Sequence, residues 1–422
     1  MEIIEIIFTI FCAYKILREK DNVNVLLYFL VIPFCVYNLT IMGTLTTYRL
    51  IAFVAFLKCC MTKSIRISKS YPLTILLILI FINYCLIGFL DTRHDGFTMV
   101  GRVIFRYVTT FGIVLFGFLS VTTEDDFKRL LINVYKLSCW VFVYTFFVFL
   151  IKFDPIGNAL GEPDFLNYGG RLRVPSLMGF GVNGFVGALI GVMTFYNPYN
   201  LLKANKRWVL FVASLLTVVL CGFRIQLIIF IVGLFILILF SYRKQVKTIL
   251  VGIAIFITAY TFVPYVNRLV NQTVLTVFTD DQSDIEGSNK SMRDLQYNVA
   301  YTYFLKHPYW GYGFSYFSEN IGTKGDVYNG GLMGAEGYYI LMLIEEGGVQ
   351  IVLSTLFFLL SLLLFLRNIF KNNISLIGVA LISMFWVYCI GTRPDNTWFY
   401  IMPFIGCITR IIKISNSKQK NK

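Results

Sequence analysis

Apolar runs of roughly the length that crosses a bilayer recur from one end of this 422-residue chain to the other. A helix needs about 20 residues to traverse a hydrocarbon core of roughly 30 Å. Thirteen apolar segments can be laid out, at 3–17, 24–42, 46–61, 72–90, 101–121, 130–151, 177–196, 207–221, 225–241, 248–266, 338–366, 373–391 and 397–413. Composition agrees: 57% of residues are apolar and 14% charged, against about 45–50% and about 25% in soluble domains. Unpaired backbone groups are intolerable in lipid, so runs of this length predict an all-α integral membrane protein of about 12–13 transmembrane helices. The first segment lacks a basic start and ends in Lys15, Arg18 and Lys20, the pattern of an uncleaved span.

The net charge of +14 is not a nucleic-acid signature, because the basic residues fall in short clusters between apolar runs. No nucleic-acid partner is expected. The cysteines lie in or beside the apolar segments, so no extracytoplasmic disulfide framework is expected. His94 and His307, the two histidines, stand in no metal-ligand spacing, and neither metal nor cofactor is expected.

Lysine and arginine accumulate on the cytoplasmic side of short loops. One topology collects most of the chain's 37 basic residues there: Lys15/Arg18/Lys20, Lys58/Lys63/Arg66/Lys69, Lys128/Arg129/Lys136, Lys203/Lys206/Arg207, Arg243/Lys244/Lys247, Arg367/Lys371 and the cluster from Arg410 to Lys422. The C-terminus is then cytoplasmic, with the membrane itself as one partner. The chain divides into helices with a smaller outer loop at about 152–176 (1–266), a large outer loop (267–337), and C-terminal helices with a cytoplasmic tail (338–422). In the large loop a helix is predicted after the cap-like Ser291, ended by Pro308.

Arginine near hydrocarbon is costly and marks function by default. Arg102 and Arg106 lie four apart on one segment, and Arg224 begins another in CGFRIQLIIF; Arg171 and Arg173 sit in the smaller outer loop. A guanidinium presents a planar fork matched to phosphate oxygens, so an outward cluster suits a diphosphate; snorkelling to lipid headgroups is the bland alternative. Tyr309, Trp310, Tyr312, Phe314 and Tyr316 are sugar-packing candidates or an interfacial aromatic belt. Glu336, where the large loop re-enters the membrane, is the candidate general base, with helix capping as its alternative; Glu345 and Glu346 read as caps or braces.

Four stretches together resemble the O-antigen polymerase and O-antigen ligase superfamily of bacterial membrane glycosyltransferases: RLRVPSLMGFGVNGFVGALIG, GFRIQLIIFIVGLFILILF, RDLQYNVAYTYFLKHPYWGYGF and AEGYYILMLIEEGGVQ. In the last, Glu336 stands where the ligases carry a histidine, Gly337 replaces the following Asn, Gly347 matches an internal Gly and Gln350 replaces the final Gly. The departures place the chain closer to the polymerases. The resemblance implies a GT-C-like fold in the bacterial cytoplasmic membrane and undecaprenyl-diphosphate-linked glycans as substrates. It also implies Arg224 and Arg293 as diphosphate ligands, and a chain-length regulator and a flippase as partners. A polymerase, a ligase and a flippase of lipid-linked oligosaccharide all remain open on sequence.

The topology is directly testable. Single cysteines introduced between 267 and 337 are expected to react with a membrane-impermeant thiol reagent in intact cells, whereas cysteines in the 243–247 cluster are not; the reverse pattern would overturn the orientation.

Overall fold

The computed structural model describes residues 2–31, 40–41, 45–62, 72–154, 166–168, 171–174, 179–241, 290–321, 337–392 and 397–420, with a few positions between 261 and 267. The protein is an all-α integral membrane protein. Six described helices are long and apolar enough to cross a membrane, seven if one bent pair is a single span. The N-terminal part comprises α1 (Glu2–Arg18), α2 (Asn22–Val31), α3 (Thr47–Thr62), α4 (Pro72–Leu90), α5 (Gly96–Thr109), α6 (Ile113–Ser120) and α7 (Glu124–Ile151). Next come α8 (Gly179–Tyr196), α9 (Ala204–Leu220), α10 (Arg224–Ser241) and α11 (Lys290–Lys306), then α12 (Tyr338–Glu345), α13 (Gly347–Asn368), α14 (Asn373–Gly391) and α15 (Trp398–Lys420). Two antiparallel ribbons interrupt the helices: β1 (Thr40–Ile41) with β2 (Leu45–Thr46), and β3 (Leu166–Tyr168) with β4 (Arg171–Arg173).

Local chemistry sets several boundaries. Thr123 and Asp126 form a reciprocal capping box that starts α7, satisfying backbone donors that a helix N-terminus leaves orphaned. The Asp95 carboxylate accepts from Thr98 N and starts α5. Three sequence segments differ from expectation. The run 101–121 bends by 47° between α5 and α6. The run 24–42 is not one helix, because Thr40–Ile41 is a strand. The run 338–366 is two helices, broken at Glu346 by an ion pair and a left-handed glycine, both described below. The segment 248–266 lies almost wholly outside the described residues.

The most buried spans are α14 and α15, each 78% buried over its apolar window, whereas α10 is 28% buried. Thus α14 and α15 form the axis of the bundle, while α4, α10 and α13 turn residues such as Ile78, Phe235 and Val352 outward, as lipid-facing surfaces require. The axis is close-packed backbone to backbone. A Cβ placed on Gly117 of α6 would meet the Pro403 carbonyl of α15, and one placed on Gly406 would meet the Val114 carbonyl of α6. Small residues permit such approach where lipid offers no hydrophobic drive for helix association.

Helix connectivity separates two ends. At one, Tyr196–Asn200 lies with Glu124, Lys371 and Ser415 around a shared cavity; Asn197, Tyr199 and Asn200 there all have positive φ. At the other, the 91–95 turn meets 313–319, and Gly337 packs against Ile390. On the topology expected from the basic clusters, the first end is the cytoplasmic one and the second the outer one.

The glycine contact predicts that Gly117→Ala and Gly406→Ala each lower the thermal midpoint of the detergent-solubilised protein, by overpacking worth about 1–3 kcal/mol or more. Gly101→Ala, which would meet nothing within 4 Å, serves as the unaffected control. Equal midpoints for all three variants would refute the close helix pairing.

Candidate functional site

At the second of these ends, three separated stretches of chain converge on the start of α10. Helix α9 stops at Leu220, and Gly222, with φ of 68°, turns the chain into α10 at Arg224. Val174, the residue after β4, donates its backbone N–H to the Leu220 carbonyl at 3.0 Å, which brings the ribbon carrying Arg171 and Arg173 to the turn before Arg224. From another side, a Cβ on Gly391 would lie 2.5 Å from Ile225, and one on Gly337 would lie 3.2 Å from the Ile390 carbonyl. The residue after Glu336 is thereby two contacts from the residue after Arg224. Arg224 itself is partly buried at the first position of its helix, where unpaired N–H groups and the helix dipole favour an anion.

Helix α11 packs along α12. Ala300 shares a buried cluster with Ile340, Leu341 and Ile344. The two helices run in the same direction: Tyr297 is an electrostatic neighbour of Tyr339, and the loop after α11 reaches the far end of α12. Arg293 stands one turn before Tyr297, on the side of α12 where Gly337 lies. The backbone of α11 therefore carries Arg293 toward the Arg224 corner.

The far end of α12 is built by a clasp between HPYWGYG and EEGG. Tyr312 N donates to the Ile344 carbonyl at 2.9 Å and Gly313 N to the Glu345 carbonyl at 3.0 Å; Gly348 N returns a bond to the Pro308 carbonyl at 2.8 Å. Backbones come so close that a Cβ on Gly311 or Gly347 would lie 2.5 Å from main-chain atoms of the other strand, and both residues have positive φ. Glycine is required on both counts.

Charges fasten this region to α4 and α5. Glu346, sealed from solvent, receives Arg106 through Nη2 at 2.6 Å and Nε at 3.0 Å, both on one carboxylate oxygen. Glu319 takes Arg102 at 2.7 Å, His94 at 3.0 Å and Arg93 at 3.3 Å. Arg93 also pairs with the buried Asp91 at 2.6 Å, and Arg93 and Arg102 both donate to the Phe314 carbonyl. Burial alone would raise the Glu319 pKa, but hydrogen bonds from Arg102 and His94 outweigh it and hold the carboxyl below its ordinary value. Glu319 therefore stays ionised at neutral pH and keeps the latch closed.

Residues 209–349, from the second turn of α9 to the first of α13, match the family described as O-antigen ligase. This match supports the O-antigen ligase and polymerase superfamily. This superfamily consists of membrane glycosyltransferases, and the matched stretch contains Arg224, Arg293, Glu336, the clasp, Glu319 and Glu346. No curated protein sequence matches the chain significantly.

The structure sorts the sequence candidates. Arg224 and the ribbon backbone of Arg171 and Arg173 meet at one corner, and α11 carries the backbone of Arg293 on the Gly337 side of α12. Glu336 lies outside the described residues, as do the side chains of Arg171, Arg173 and Arg293. Arg102 and Arg106, read as substrate ligands, are engaged by Glu319 and Glu346. Tyr309 and Trp310 lie at the other end of α12, on a cleft. Sequence reasoning missed Asp91, Arg93 and Glu319; the three partners of Glu319, Arg93, His94 and Arg102, all lie more than two hundred positions away from it. Nothing local announces such pairs.

A buried carboxylate stripped of its partner costs about 3–5 kcal/mol. Arg106→Ala is expected to depress the thermal midpoint strongly, and Glu346→Gln in the same chain to recover most of the loss because no uncompensated charge remains. If the double variant is as unstable as the sum of the single ones, the ion pair is not what holds this break.

Proposed function

We propose that the chain is a polymerase of lipid-linked oligosaccharide repeat units, of O-antigen or capsule type. It passes the growing glycan from undecaprenyl diphosphate to the next lipid-linked repeat at the outer face of the cytoplasmic membrane. The carrying observation is the convergence at the start of α10: Arg224, the ribbon of Arg171 and Arg173, and Gly337, the neighbour of Glu336, approach one another from three parts of the chain. In this reading Arg224 and Arg293, supported by Arg171 and Arg173, hold the diphosphate. Bidentate guanidinium contacts stabilise the charge that develops on it as the anomeric carbon–oxygen bond breaks. Glu336 accepts the proton of the attacking hydroxyl as the new glycosidic bond forms.

Two features support polymerase over the alternatives. The carboxylate of Glu336 stands in the position at which ligases resemble this chain but carry histidine. The candidate residues also gather at one end of the bundle, whereas a transporter places its site near the midplane.

Glu336→Gln preserves size but removes basicity, so polymerisation in membranes with equal protein is expected to fall by about 10²–10⁴-fold. Arg224→Ala and Arg293→Ala should be inactive, with lysine restoring only part, since an ammonium lacks the fork. Deleting the gene should leave single repeats in place of long chains. Polymer that forms normally but stays on its carrier would establish the ligase reading instead, and repeats that never reach the outer face would establish the flippase.

A further inference from the structure

A cleft of about 530 Å³ opens at the C-terminal end of α12, between the end of α4 and the loop after α11. Its wall is aromatic. Tyr312 and Tyr316 stack with centroids 4.4 Å apart, His307 meets the Tyr312 ring at 4.2 Å, and the Arg93 guanidinium lies over Tyr316 at 5.0 Å. Tyr309 and Trp310, 65% and 37% exposed, also line the cleft. The frame is rigid, because these rings sit on the backbone clasp to Ile344 and Glu345 and behind the Asp91–Arg93–Glu319 latch. Lys306 and His307 add polar groups to the same lining.

We propose that this cleft is a saccharide subsite, in which the apolar face of a pyranose ring lies on Trp310 and Tyr309 while its hydroxyls meet the polar rim. Aromatic rings fixed in advance lose little entropy on binding. Flat carbon–hydrogen faces bordered by hydroxyls are the ligand chemistry that such a mixed lining fits. The position agrees with a glycan substrate: α12 is eight residues long, so the cleft stands about 12 Å from the Gly337 end. A sugar chain whose reacting end is near Glu336 can extend along α12 into it. The subsite thus deepens the transferase reading and rests on it for the identity of the sugar.

The test uses the full chain in detergent and, as probe, the repeat-unit oligosaccharide released by mild acid from the cell's own lipid-linked pool. Saturation-transfer NMR is expected to mark its ring protons. Trp310→Ala should weaken binding by roughly tenfold, Tyr309→Ala should weaken it less, and Trp310→Phe should retain most of it. In polymerisation assays Trp310→Ala should raise KM for the lipid-linked repeat more than it lowers kcat. Wild-type protein that fails to bind the probe, or a Trp310→Ala variant that binds it equally well, would overturn the subsite and leave the rings as an interfacial belt. The two readings fail separately: probe binding without polymerisation by the wild type removes the transferase and spares the cleft, and Glu336→Gln should bind the probe normally.

Discussion

The pairing of Arg106 with Glu346 inside the bundle determines how this end of the molecule is built. A lone carboxylate in that position is not tolerable, and a lone arginine in a span is costly. Together they fix the point at which an otherwise continuous apolar run divides into α12 and α13. Because the run divides there, the helix interrupted at Glu346 exposes main-chain carbonyls to partners outside it. The HPYWGYG loop takes that opportunity, donating from Tyr312 and Gly313 into Ile344 and Glu345. The break is therefore a designed joint, held by one ion pair across helices and several backbone hydrogen bonds.

From this joint α12 acts as a short bar between two places of different character. One end touches Ile390 and, through Gly391 and Ile225, the arginine that starts α10. The other supports the aromatic cleft and is latched to the α4–α5 turn by Glu319, which pairs with Arg93 and His94. The Arg224 corner and the aromatic cleft thus lie toward opposite ends of one short element. An extended, partly anionic substrate suits such a division, since its charged and its sugar parts make different demands on a protein.

Much of the fold was legible because hydrocarbon imposes a single rule on long apolar runs. Segments 72–90 and 373–391 coincide with α4 and α14. The helix expected after Ser291 appears as Lys290–Lys306. Legibility failed where backbone geometry depends on distant partners. The division at Glu346 follows from Arg106, 240 positions earlier, and composition alone reads IEEGGVQ as a continuing span. The same cause left the reading of Arg102 and Arg106 open: an arginine in a span signals an anion, but sequence does not show that Glu319 and Glu346 pair with these two. Arg224 was better marked, because glycine before it and an apolar run after it place it at a helix start without help from elsewhere.

The location of the most buried helices carries a consequence for assembly. Chains emerge from the ribosome N-terminus first, yet α14 and α15, the axis of the bundle, follow in sequence every helix they pack against. The groove along α6 that Gly117 keeps open has no occupant until Pro403 arrives. The earlier helices therefore lack these packing partners until α14 and α15 insert, and the two helices then fill the axis as a keystone closes an arch.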